Sequence, residues 1–222
     1  MDWFAPVDLY CERLAPGLWA EPLNVLSNLA FFIAAVLAAR HAWQGVNARN
    51  DGFLWLLIIL VAVIGAGSTA FHLVGTRWAM LADVVPITLF IYMFFLFAMR
   101  RFLGLDWPAA LLTTALFFGA SWIFGESLPR GFMNGSGSYL PAFFAMAGVG
   151  ALLIHRDHPA GHWFAGAGGV FLISLTFRTI DQAICPILPI GVHYMWHILN
   201  SLVLYLLLEA GVRWGRAKAS AS

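Results

Sequence analysis

Apolar residues fall along this chain in seven long runs separated by short polar breaks, and each run is about as long as a bilayer is thick. Runs of roughly 17–25 apolar residues cross the hydrocarbon layer as helices, because only a helix satisfies every backbone group where no water is present. The pattern predicts spans over residues 23–39, 53–72, 78–99, 107–124, 139–154, 163–180 and 189–208. The connectors at 47–52, 75–77 and the glycine-rich stretch 134–138 have turn compositions and are too short for a second domain. The expectation is an all-α integral membrane protein, one seven-helix bundle over 1–222, with an extramembrane N-terminal segment (1–22) and a C-terminal tail (209–222). Residues 1–22 carry Asp2, Asp8, Glu12 and Glu21, so they read as a structural segment rather than a cleaved signal.

Composition narrows the class further. The chain is 61% hydrophobic and 10% charged, too few charges for a water-facing surface, and its net charge of +1 gives no reason to expect nucleic acid as a partner. Trp19, Trp78, Trp107 and Trp163 flank the apolar runs, where indole rings favour the headgroup layer. Arg40, Arg49, Arg100, Arg101, Arg156, Arg213, Arg216 and Lys218 fall on the side of the C-terminus, against Arg13, Arg77, Arg130 and Arg178 on the other. Basic residues stay cytoplasmic, so the N-terminus is expected outside and the C-terminus inside. Cys11 and Cys185 then share the outer side; one disulfide between them and two unpaired thiols both fit the sequence.

Ionisable and polar groups within spans are costly and mark function. The second span ends with Ser68 and His72 one helical turn apart, the third carries Asp83 near its start, and the seventh opens with His193 and His197 at i and i+4. With about 1.5 Å of rise per residue, all five fall in one layer of the outer leaflet. Three neutral imidazoles suit zinc and leave a position for water. Asp83 would then serve as general base or hydrogen-bond partner, and Ser68 either as donor to a developing oxyanion or as a small residue that lets helices approach.

The pattern Gly-x-Gly-Ser-x-x-Phe-His over 65–72, Asp83 eleven residues after His72, and His-x-x-x-His over 193–197 resemble the alkaline ceramidases. Those belong to a superfamily of seven-helix membrane hydrolases that includes adiponectin-receptor-like and GPI-lipid-remodelling proteins. Cys11-Glu12 and the segment 21–28 are similar to the ceramidase N-terminal region, so the resemblance covers essentially the whole chain. It implies zinc on His72, His193 and His197, with Ser68 and Asp83 beside it, and a ceramide-like membrane lipid cut to a sphingoid base and a fatty acid. It also implies an N-terminal Ca²⁺ site, of which Asp8, Glu12 and Glu21 are the candidate ligands, although Leu14 stands where the family has an Asn. The alternatives are a hydrolase of another acyl lipid and a lipid receptor that keeps the zinc without hydrolysis.

Other polar positions read structurally. Asn24, Ser27 and Asn28 share one face of the first helix and suit interhelical hydrogen bonds first and lining of the site cavity second. Arg178 and Asp181, at i and i+3, are expected to pair, with Asp181 also in reach of a ligating imidazole. A retinal photoreceptor is excluded because the single lysine, Lys218, lies in the tail. A transporter would show internal repeats, and none is found.

Overall fold

The computed structural model describes residues 2–215; Arg216 and Lys218, which enter the charge argument, lie outside the described residues. The chain folds into helices α1 (Pro22–Ser27), α2 (Leu29–Gln44), α3 (Gly52–Val74), α4 (Arg77–Arg101), α5 (Trp107–Ser127), α6 (Leu140–His155), α7 (Ala160–Ile184) and α8 (His193–Trp214). With α1 and α2 taken as one span interrupted at Asn28, seven helices are long and apolar enough to cross a membrane. This is a multi-pass membrane protein. Helix α8 is the axis of the bundle, 61% buried along its apolar window and packed on α1, α2, α3 and α7, whereas α5 is only 6% buried and rests on α4.

Local chemistry sets the helix limits. Asp51 accepts hydrogen bonds from the Phe53 and Leu54 amides to start α3, and Asp106 accepts one from Ala109 to start α5. Pro86 within α4 lacks an N–H, so the Ala82 carbonyl four residues earlier has no helical donor. That carbonyl lies against Gly67 of α3, where an added Cβ would overlap it and sit 3.2 Å from the Asp83 amide nitrogen. A glycine and a proline together thus set the close approach of α3 to α4 beside Ser68 and Asp83.

Several boundaries differ from the sequence reading. The last helix starts at His193 rather than 189 and continues past Leu208 to Trp214, so residues 209–214 are helix and not tail. Helix α7 extends to Ile184 and encloses both Arg178 and Asp181. The glycine-rich stretch is no simple turn: within the 3-10 segment Phe132–Tyr139, Met133 and Asn134 are left-handed at φ 51° and 52°, and Ser136 and Gly137 are buried.

Residues 2–21 form a strap across the end of the bundle where α3 ends and α8 begins. The Val7 amide donates to the Gly75 carbonyl at 2.7 Å, and the Arg77 and Trp78 amides donate back to Ala5 and Trp3. At the other end of the strap Cys11 is disulfide-bonded to Cys185, with Cα atoms 5.3 Å apart, and the Gln182 side chain donates to the Leu9 carbonyl.

Candidate metal centre

The only group of three or more His, Cys, Asp or Glu among the described residues that could hold a metal ion is His72, His193 and His197, one ligand atom from each lying within 4.8 Å of the others. All three are buried. His193 and His197 meet because an i, i+4 pair shares one helix face; His72 meets them because α3 ends where α8 starts.

The second nitrogen of each ring shows how the cluster is oriented. His72 donates from Nδ1 to the Glu21 carboxylate, which turns its Nε2 lone pair inward. His197 donates from Nδ1 to the Ser27 hydroxyl at 2.7 Å, and Ser27 passes its own proton to the Asn24 carbonyl at 2.9 Å. The Tyr10 ring of the strap lies flat on His193, with centroids 3.6 Å apart and planes 14° apart. Within this cluster His72 Nε2 and His193 Nδ1 are buried with no hydrogen-bond partner. Buried imidazole nitrogens without partners are costly, and a metal ion relieves that cost, so the residues fit such an ion.

The supports come from far along the chain. Glu21 also accepts from Arg13 Nε at 2.6 Å and from the Asn24 amide group at 2.9 Å, while Arg13 Nη2 donates to the His72 carbonyl at 3.0 Å. Burial raises the Glu21 carboxyl, but the bond from His72, the Asn24 amide and the charge of Arg13 outweigh it and hold the group below the ordinary carboxylate range. Asp181 accepts from the amides of Val192 at 2.7 Å, His193 at 2.9 Å and Cys11 at 3.1 Å. It caps α8 from a neighbouring helix and fixes the first ligand of the pair.

Ser68 is buried one turn before His72, and Asp83 faces it from α4. Asp83 is half-buried, its Oδ1 is buried without a partner, and Ser68, His72 and Arg178 are the groups that act on its carboxyl. The fold thus brings Ser68 and Asp83 beside the three histidines.

Two expectations are corrected. Asp8, Glu12 and Glu21 are not gathered into a calcium site: Asp8 is exposed, Glu12 accepts from the Leu23 and Asn24 amides at 2.6 and 2.9 Å to cap α1, and Glu21 serves His72 with Arg13 as its cation. Arg178 and Asp181 are not paired, because Asp181 is saturated by backbone amides while Arg178 turns toward Asn134 and Ser136. Tyr10 and Arg13 carry no sequence signal for the site, and Ser27 reads there first as an interhelical hydrogen-bond partner and only second as part of the cavity. Tyr10 and Arg13 lie in the extramembrane segment, whose path cannot be counted off along a span.

Below the histidines lies an apolar cleft. Tyr139 and Trp196 line its upper end, Ile64 lies one turn from Ser68, and the lining on α8 continues to Leu207, roughly 16 Å further along the helix. Its wall is that of a hydrocarbon site.

No protein-family model matches the chain, and no curated protein matches it in sequence.

Proposed function

We propose that this protein is a zinc-dependent intramembrane amidase that hydrolyses the N-acyl bond of ceramide or a ceramide-like lipid to a sphingoid base and a free fatty acid. The observation that carries the reading is the buried His72, His193 and His197 cluster at the head of an apolar cleft, with Ser68 and Asp83 beside it. His₃ with an open position is the donor set of hydrolytic zinc, which supplies an activated water at neutral pH and polarises a carbonyl.

The chain's own residues perform the remaining steps. The cleft holds the acyl chain and brings the amide carbonyl to the histidines, while its apolar wall excludes bulk water. Ser68 donates to the carbonyl oxygen as negative charge develops there. Asp83 accepts the proton of the attacking water and returns it to the nitrogen as the C–N bond breaks, since an amine leaves poorly until protonated. Glu21 and Ser27 keep two imidazoles in the tautomer that presents a lone pair to the metal.

We place the site toward the non-cytoplasmic leaflet. Eight of twelve basic residues fall on the C-terminal side, and the Cys11–Cys185 bond belongs to an oxidising compartment. A C-terminal reporter that works only in the cytoplasm should be active; its silence would overturn the orientation.

The deciding experiment incubates the purified, zinc-loaded protein with acyl lipids, ceramide among them, and identifies released fatty acid and amine by mass spectrometry. Ceramide turnover by the wild type, with none by His193→Ala, supports the proposal. Stoichiometric zinc with no release from any lipid would replace it with the receptor reading.

A further inference from the structure

Arg178 has no part in that mechanism, yet it stands in the same chamber. It lies on α7 six residues before the helix ends at Ile184, roughly 9 Å along the helix from its end. A cation at that depth is costly unless an anion or a hydrogen-bond network compensates it. Nη1 donates to the Asn134 carbonyl at 3.2 Å and to the Ser136 hydroxyl at 2.8 Å. The guanidinium carbon lies 5.3 Å from the Tyr139 ring and 5.7 Å from the Trp196 ring. The phenol of Tyr10 and the carboxyl of Asp83 also act on it. Five ion pairs occur among the described residues and none includes Arg178.

Its position gives the charge a direction. Tyr139 and Trp196, the rings beneath the guanidinium, are also the upper lining of the apolar cleft. Tyr10, on its other side, is the ring stacked on His193. The cation therefore stands between the acyl chain's cleft and the metal ligands, beside the place where the amide must lie. The backbone it holds is strained as well: Met133 and Asn134 are both left-handed without being glycine, a cost that persists where surrounding contacts require it.

We propose that Arg178 is a carboxylate subsite, and that N-acyl amino acids are substrates of the same centre in addition to neutral acyl amides. This rests on the amidase reading. A guanidinium is the side chain best matched to a carboxylate, through paired N–H donors. In an N-acyl amino acid the carboxylate is three bonds from the acyl carbon, so a substrate placed at the histidines carries its anion alongside. The reaction balances with one water: its oxygen forms the new bond to the acyl carbon, the C–N bond breaks, and the water's proton reaches the nitrogen through Asp83. The same subsite chemistry suits the carboxylate of the released fatty acid, and the test separates the two sources.

Initial rates are measured for N-palmitoylglycine and for neutral N-palmitoylethanolamine with wild type, Arg178→Gln and Arg178→Lys, together with binding of both amides and of palmitate to the zinc-free protein by calorimetry. The expected result is a kcat/KM ratio favouring the glycine conjugate that falls on the order of tenfold or more in Arg178→Gln, the scale of one charged hydrogen bond, and is partly kept in Arg178→Lys. An equal loss on both amides would mean that Arg178 only supports the fold, and would overturn the subsite. If Arg178→Gln weakens palmitate alone, the anion is the product and the amino-acid activity is wrong. Should neither amide be cut while the glycine conjugate still binds through Arg178, the amidase reading fails and the subsite stands.

Discussion

His72 and Glu21 are joined by a hydrogen bond between residues 51 positions apart, the imidazole donating from Nδ1 and the carboxylate accepting. Glu21 is held in turn by Arg13, so a buried row of guanidinium, carboxylate and imidazole runs from the strap into the metal centre. An ion pair of this kind is a poor source of net stability, because both charges lose water on burial. Its effect is to fix one ring's tautomer and direction.

Replacing that carboxylate tests the row directly. Glu21→Gln keeps the shape but weakens the acceptor, and should lower zinc affinity on the order of 10–100-fold, the usual effect of losing a partner of a ligating histidine. Competition with a chelator of known affinity measures it. Unchanged affinity would mean that Glu21 serves only the strap.

Asp83→Asn removes the proton acceptor and no metal ligand. Zinc content should stay at the wild-type level while ceramide turnover falls on the order of 10²–10⁴-fold, the range of acid–base catalysis. Ser68→Ala should lose less, since it removes one of two stabilisers of the oxyanion. Wild-type turnover in Asp83→Asn would remove the mechanism even with the metal bound.

The contact of Gly67 with the Ala82 carbonyl predicts an effect from a single methyl group. Gly67→Ala must push α4 away from α3, carrying Asp83 off its position while His72, His193 and His197 keep theirs. Displacements near 1 Å cost about 10² in rate, so turnover should drop by about that factor with zinc retained. Loss of zinc and turnover together would show that the contact holds the whole bundle end.

The Cys11–Cys185 bond closes a loop of 174 residues and ties the strap to the end of α7. Reduction, or Cys11→Ser, should lower thermal stability by on the order of 2–4 kcal/mol, with the double Cys→Ser variant no worse than either single one. A melting midpoint indifferent to reductant would contradict this.

Seven spans and three metal-ligand candidates were legible in the sequence for one reason: the bilayer forces long apolar helices, and any polar residue kept inside one stands out against them. His193 and His197 needed only helical periodicity to face the same way. Their depth match with His72, Ser68 and Asp83 followed from counting residues inward from the ends of spans, which survived errors of a few residues such as the start of α8 at His193. Azimuth around each helix and the paths of the extramembrane segments were not encoded so simply. Glu12 and Glu21 could have faced a calcium ion, and Arg178 could have bonded Asp181 one turn away. What decided was tertiary: Asp181 is consumed by the amides at the start of α8, Arg13 neutralises Glu21, and the strap lays Tyr10 on His193. Those contacts join separate elements of the fold, and buried polar groups choose among such partners only once the helices have packed and every donor must find its acceptor.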